Sequence, residues 1–434
     1  LNILSHVIHM SISSLKVPLF TIGFFSILLS LQYNTDIQIF RVFPIVYFIL
    51  LTLFNFGKLP TTKEYFFFYI LIIILVFGKL RSNNDEYNLS FKLHDSLLFI
   101  LFIFNLLQTL KFIINNEKKE FTSKLILGIL SPFFFLTLLS IILKLLNLSP
   151  KGFIEQSVGR VVLLSYFGFD MDRTSFPLTG GINSFASLLG ALFTVSFLAF
   201  LLVHSKKGLF LIYSIFFFFM ILIHDSRGAI LFSTISIFVS IFLKIINKIK
   251  FSILIPFFSI LLPFIFVYIL NSEFISNKAD FLQRNAQEIN TGNGRLLVWG
   301  YAVTSIIEFD WNQLLFGFGE FGHYGSGASS SWAPLFSSYE RPELTHPHNT
   351  ILMTVFDYGI IGLITLLILV YRIIRINMKA YRVYQTINLI SIGFFIYFFL
   401  IGTTESFFGF YYLNCIYPFV YICACTLIIN DKLR

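Results

Sequence analysis

The sequence predicts an all-α, polytopic integral membrane protein of about twelve transmembrane helices, with a large outer-face loop that contains short helices. Three observations predict it. Of the 434 residues, 56% are hydrophobic and only 12% charged, too apolar a balance for a water-soluble chain of this size. Apolar runs of about the length that crosses a bilayer, 17 to 25 residues, recur along almost the whole chain. Lysine and arginine gather in alternate short connections, as cytoplasmic loops do.

In order, residues 1–146 hold five spans: Val17–Leu31, Ile37–Phe54, Tyr65–Leu80, Leu93–Ile114 and Leu125–Leu146. The chain begins at Leu1, and its first apolar segment lacks a small-residue cleavage pattern after it, so an uncleaved first span is expected. Residues 147–182 form an outer-face stretch, and 183–270 hold four more spans, Asn183–Val203, Gly208–Ile223, Gly228–Leu243 and Phe251–Leu270. Residues 271–349 form the large outer loop, too long for a mere connector. Within it, Thr291–Gly294 reads as a turn before an interfacial helix over Arg295–Phe309, with Trp299 and Tyr301 at headgroup level. Residues 350–434 add Thr350–Tyr371, Ile387–Gly402, Tyr411–Ile429 and a cytoplasmic tail.

Orientation follows from the cations. Lys58 and Lys63, Lys111 to Lys124, Lys206 and Lys207, Lys244 to Lys250, and Arg372 to Arg382 mark inner connections, and Lys432 and Arg434 the tail. Both termini are then inside. Lys79, Arg81 and Lys92, between the third and fourth spans, break the pattern. The net charge of +9 is accounted for by topology, not by a nucleic-acid partner. Cys415, Cys423 and Cys425 all fall in the last apolar segment and read as small hydrophobes. The 58 phenylalanines, the run Phe216–Phe219 among them, read as lipid-facing bulk.

The chemistry gathers on the outer face. Pro347 disfavours helix at His346, so a helix is expected to start at or just after His348 with Asn349 as its cap. A turn of about 100° per residue then sets Gly359 beneath His348 and Gly362 within about 40° of it, a face that admits a neighbouring helix closely. The plainer alternative is a glycine seam beside an incidental surface histidine. An HxH pair can ligate metal, but no carboxylate or cysteine stands at ligand spacing beside His346 and His348, so no metal is expected. Asp357 and Arg41, charged and inside spans, are either functional or paired with neighbouring helices.

Three arginines share that face: Arg173, followed by the GGIN of Gly180–Asn183; Arg227, in the DSRG of Asp225–Gly228; and Arg295, in the GRLLVW of Gly294–Trp299. Guanidinium forks match phosphate geometry, and a histidine is suited to take a proton near neutrality. Taken singly, each arginine is also explained as a cation anchoring a span or helix end.

The spacing His348-Asn349, nine residues, Gly359, two residues, Gly362 resembles the signature of the O-antigen ligase family, which includes O-antigen and capsule polymerases. Arg173 with Asn183, Ser226-Arg227-Gly228, Gly294-Arg295 with Trp299, and the LFGFG of Leu315–Gly319 follow in the family's order; His346 has no secure counterpart. The resemblance implies a metal-independent, cofactor-free glycosyltransferase at the outer (periplasmic) face of the bacterial inner membrane. Its donor would be a glycan on undecaprenyl diphosphate, and its acceptor lipid A core for a ligase or a second lipid-linked glycan for a polymerase. Arg173 and Arg227 would hold the diphosphate, His348 would activate or orient the acceptor hydroxyl, and Arg295 would position donor or loop. Asn183, Trp299, His346, Asn349, Gly359 and Gly362 would support them. One dominant outer loop leans the reading toward the ligase. A transporter or flippase would be expected to show internal repeats, and the sequence has no convincing one; a membrane scaffold leaves the co-facing arginines and histidine unexplained.

Overall fold

The computed structural model describes residues 2–32, 38–54, 59–60, 62–83, 89–116, 120–150, 153, 155, 157–166, 168–179, 181–245, 294–337, 341–410 and 415–433. The expected span Phe251–Leu270 and most of the TGNG turn lie outside them. The described elements are α1 (Asn2–Gln32), α2 (Gln38–Phe54), α3 (Phe66–Leu80), α4 (Leu89–Asn116), α5 (Phe121–Leu145), β1 (Ser157–Arg160), α6 (Val162–Ser165), β2 (Asp172–Thr174), α7 (Ile182–Leu202), α8 (Lys207–Ile223) and α9 (Arg227–Ile245). After these come α10 (Arg295–Ile307), α11 (Trp311–Phe316), α12 (Gly322–Gly325), three short 3-10 turns between Ala328 and Leu344, α13 (Thr350–Ala380), α14 (Gln385–Gly402) and α15 (Ile416–Lys432).

Apolar runs become helices because a backbone in hydrocarbon must satisfy its own polar groups. Hydroxyls inside them do the same: Thr194, Ser214 and Ser236 each donate to the carbonyl four residues back. Six described helices, α4, α5, α7, α9, α13 and α14, are long and apolar enough to cross a membrane. The expectation of about twelve counted shorter apolar helices as well, among them α3 and α8.

Helices distant in sequence share one core. The Phe24 ring of α1 lies 4.7 Å from Phe102 of α4, 5.5 Å from Phe133 of α5 and 5.7 Å from Tyr417 of α15. Phenylalanine is therefore not only lipid-facing bulk: Phe217 is buried while Phe219 is exposed. The three cysteines are buried and free.

One exception to the all-α expectation lies between α5 and α7. There β1 and β2 pair antiparallel, with Arg160 opposite Asp172. Arg173 lies in β2, and its guanidinium reaches Asn183 at the start of α7.

Directions are readable from contacts. Tyr397 of α14 donates to the Ser187 carbonyl of α7 (2.7 Å), while Gly393, four residues earlier, meets Leu198. The two helices run antiparallel. The start of α7, the α8–α9 turn, the end of α14 and the start of α13 consequently share one end of the bundle, where Thr350 also lies against Gly402.

The cations between α3 and α4 that break the charge pattern are held by pairing. Lys79 is fully buried, with Nζ 3.2 Å from Asp95 Oδ2 and 3.0 Å from Glu320 Oε2. Arg81 donates to the Gly317 carbonyl (3.0 Å), Asn83 Nδ2 to that of Phe318 (2.9 Å), and Lys92 to that of Ser82. Backbone bonds complete the seam, Asn83 N to Glu320 O and Glu320 N to Gly78 O, each 2.9 Å. Lys79 and Arg81 fasten the large loop to the α3–α4 turn, and Lys92 closes that turn on itself, so all three are engaged in pairing. Removing one partner from a buried ion pair strands the others, and Lys79→Met is expected to destabilise the protein by about 3–5 kcal/mol. Thermal unfolding of the detergent-solubilised protein measures it; an unchanged midpoint would mean that the pair contributes no net stability.

α13 is two helices in sequence. Gly359 inside it has φ 64° and ψ −170°, so the turn of 100° per residue does not carry past it. The expected alignment of Gly359 and Gly362 beneath His348 is accordingly replaced by a break. What approaches Gly359 is the LFGFG backbone at the end of α11, while Gly362 faces Ile74 of α3; Phe318 N donates to Phe356 O (2.8 Å) and Gly319 N to Asp357 O (2.9 Å). A Cβ on Gly317 would come within 2.6 Å of Gly359 N, and one on Gly359 would collide with the Leu315 carbonyl. Asp357 joins the same seam, Oδ1 accepting from Gly322 N at 2.9 Å.

Candidate active site

The loop 345–349 is shaped by its own backbone and by two indoles. Trp332 Nε1 donates to Thr345 O (2.8 Å) and Trp299 Nε1 to Pro347 O (2.9 Å). Trp299 thus clamps the histidine loop, whereas the sequence suggested a headgroup-level residue. Loss of this one bond in Trp299→Phe is expected to cost about 1 kcal/mol of stability, with the indole's apolar packing partly kept; thermal unfolding measures it.

Between the two clamped carbonyls and α13, His348 takes a left-handed conformation with φ 50°. That geometry costs a non-glycine residue about 1–3 kcal/mol and needs fixing from outside. His346 provides it: its Nδ1 accepts from His348 N (2.9 Å) and contacts Ser406 Oγ (3.1 Å). Asn349 caps α13, its Oδ1 accepting from Ile351 N and Leu352 N. The rings of His346 and His348 end 4.1 Å apart.

The fold adds a residue that sequence reading missed. Glu405, three residues past α14, directs Oε2 to His348 Nδ1 (3.1 Å) and Oε1 to an Arg295 guanidinium nitrogen (2.6 Å). Its segment is stitched to the start of α13, since Thr350 Oγ1 donates to Glu405 O (3.0 Å) and accepts from Phe407 N (2.8 Å). Burial alone would raise the Glu405 carboxyl, yet His348 and Arg295 beside it hold it below the usual glutamate range, so it is an anion at neutral pH. The only local hint was an acid just past a span end on the face that carries the histidine.

The other two arginines meet elsewhere on the same end of the bundle. Arg173, buried, donates from Nε to His224 O (2.6 Å) and from its guanidinium to Asn183 Oδ1 (2.5 Å). Arg227 begins α9 and lies 3.9 Å from Asp225 Oδ2, and Asp225 Oδ1 accepts from Leu163 N. The structure therefore joins Arg173, Asn183 and Arg227 around the α8–α9 turn, and Arg295, His346, His348 and Trp299 around Glu405. Arg41 stacks on Phe91, 3.6 Å from the ring centroid, and its carbonyl meets His94 Nε2 (2.8 Å), a structural placement.

One premise of the metal argument changes. Donor atoms of His346, His348 and Glu405 lie within 4.8 Å of one another, a set able to hold a metal ion. Two features oppose it. The unprotonated nitrogen of His346 already accepts the His348 N–H, and the carboxylate charge already faces Arg295.

Three histidines at this end are held neutral. Burial lowers His224 and His323 to about 4, and burial, with the neighbouring His348, His323 and Arg295 adding to it, lowers His346 well below its ordinary value. An unfolded chain binds protons at these positions below about pH 6.5, the ordinary histidine value, while the folded chain does not. Stability is expected to be full above that pH and to fall steadily as pH drops from 6.5 toward 4. Thermal unfolding midpoints across that window check it; a flat profile would contradict it.

The helices and the polar cluster at one end define a multi-pass membrane protein with a candidate site at the end of its bundle. Residues 212–367, just over a third of the chain, match the family model described as O-antigen ligase. This match supports the O-antigen ligase and polymerase family, and with it a glycan-transfer role in O-antigen or lipopolysaccharide synthesis. Arg227, Arg295, Trp299, His346, His348, Asn349, Gly359 and Gly362 lie inside the matched segment, and Arg173, Asn183 and Glu405 outside it. No curated protein matches the chain.

Proposed function

We propose that this chain is a metal-independent glycosyltransferase that moves a glycan from undecaprenyl diphosphate to an acceptor hydroxyl at the outer face of the inner membrane. The acceptor is lipid A core, making the reaction O-antigen ligation. The observation that carries the reading is the pairing of His348 with Glu405 and Arg295, at the bundle end that also holds Arg173 and Arg227.

The acceptor oxygen attacks the anomeric carbon, its proton passes to His348 Nε2, and the bond from that carbon to the diphosphate oxygen breaks. The diphosphate leaves with the electron pair. The Arg173 guanidinium reaches Asn183 at the start of α7 and Arg227 begins α9, and helix starts carry partial positive charge, so arginines and backbone together favour the leaving anion. Arg295, a quarter exposed, adds a cation beside the base.

The test is the glycan profile, on carrier and on outer-membrane lipid, of a deletion strain rescued with the wild-type chain. Long glycans stranded on the carrier, with bare lipid A core, support the ligase. Single repeat units on carrier or core would instead make it a polymerase. A profile unchanged by deletion would overturn glycan transfer altogether. Transfer by the purified protein is expected to persist in a chelator; loss that added divalent cation restores would refute metal independence.

A further inference from the structure

We infer that Glu405 is the positioning residue of the transfer reaction: it fixes the tautomer of His348 so that Nε2 is the nitrogen free to accept the acceptor's proton. The inference rests on the proposed glycan transfer and adds a residue that lies outside the matched segment.

The argument begins with donor and acceptor counting. A carboxylate only accepts, so the 3.1 Å contact between Glu405 Oε2 and His348 Nδ1 requires the proton on Nδ1. A neutral imidazole has one N–H, which leaves Nε2 with a lone pair. Nε2 makes no hydrogen bond among the described residues, and the His348 side chain is 16% exposed, so a substrate hydroxyl can reach it. The carboxylate cannot turn away to satisfy something else. Its second oxygen is held by Arg295 at 2.6 Å, and its own backbone carbonyl by Thr350 Oγ1 at 3.0 Å. The opposite side of the histidine is fixed as well, because His346 Nδ1 takes the His348 backbone N–H. The imidazole is thus held by backbone on one side and by a charged carboxylate on the other, which is how a base is pre-oriented before substrate arrives.

The same geometry yields a nearly isosteric test. In Glu405→Gln the guanidinium of Arg295, which has only donors, takes the amide oxygen. The amide NH2 must then face His348 Nδ1 and donate to it. The imidazole is driven to the opposite tautomer, with its proton on Nε2, the atom that has to accept one. Length, volume and the Arg295 contact are kept, so the variant is expected to fold and to reach the membrane.

The experiment compares the purified wild-type protein, E405Q, Glu405→Asp and His348→Ala in a transfer assay with carrier-linked glycan. Nitrogen-15 spectra of histidine-labelled wild type and E405Q report the tautomer. The expected result is a kcat lowered about 100-fold or more in E405Q with donor KM little changed, partial recovery in Glu405→Asp, and a His348 proton moved from Nδ1 to Nε2. Wild-type turnover in E405Q with His348→Ala inactive would overturn the inference and leave the proposed function standing. An inactive E405Q whose His348 tautomer is unchanged would also overturn it, since Glu405 would then serve structure only. Full activity in both E405Q and His348→Ala would instead remove the histidine base from the proposed function itself.

Discussion

His348→Ala is expected to lower glycan transfer by about 10²–10⁴-fold, the range a general base contributes, which is about 3–5 kcal/mol of transition-state stabilisation. Under the proposed function the effect falls on kcat, because the histidine would meet the acceptor hydroxyl while donor binding would rest on the arginines. Its neighbours do not take over. His346 is buried, and its Nδ1 is occupied by the His348 N–H and Ser406. Glu405 is an anion held by Arg295, and an anion so neutralised is a weak base. Removing the ring leaves the fold largely intact, since the backbone N–H of residue 348 still reaches His346 and Asn349 still caps α13. Rate measurements on purified protein, at matched protein levels, decide this; turnover within threefold of wild type would end the assignment of His348 as base.

Gly359→Ala is expected to be the most damaging substitution outside the charged residues. Two costs combine. A left-handed φ of 64° penalises any residue with a Cβ, by about 1–3 kcal/mol. The new methyl group would also collide with the Leu315 carbonyl and Phe316 nitrogen, backbone atoms that cannot move aside without breaking the Phe318–Phe356 and Gly319–Asp357 hydrogen bonds. The loop should undock from α13, with a large loss of folded protein and of transfer. Limited proteolysis between α10 and α12 reads the undocking directly. Gly228→Ala serves as the control, because a Cβ there meets only the Phe232 ring edge at 3.8 Å. Equal protease resistance in Gly359→Ala and wild type would show that the break does not depend on glycine.

What the sequence made legible was local chemistry. Asn349 as a cap follows from a polar side chain beside a proline-limited helix start, and the structure shows the cap. The helical class follows from apolar length, and six described helices meet that length. What stayed hidden was contact across long separations. Glu405 lies 57 residues from His348 and 110 from Arg295, and nothing at those distances leaves a periodic trace. Gly359 was noticed but its reason was misread, since a regular helix was assumed where a backbone seam breaks it. Lys79, Arg81 and Lys92 looked like topology errors because a cation's sequence neighbourhood does not reveal whether it is solvated or paired.

The Lys79 pairing sets an order of manufacture. Ribosomes deliver chains from the amino terminus, so Lys79 enters the membrane long before Glu320, 241 residues later, has been made. Asp95 comes only one helix afterwards, and its contact with Lys79 gives the young hairpin a neutral interior. Glu320 then joins a pair already formed, and its arrival brings the loop down onto the α3–α4 turn. Glu405 is later still. A truncated chain that stops before α14 would hold Arg295 and His348 and yet lack the carboxylate that both of them meet. Under the proposed function, competence would come only once α14 and Glu405 are in place, and a half-made chain would not act on lipid-linked sugar while still being threaded into the bilayer.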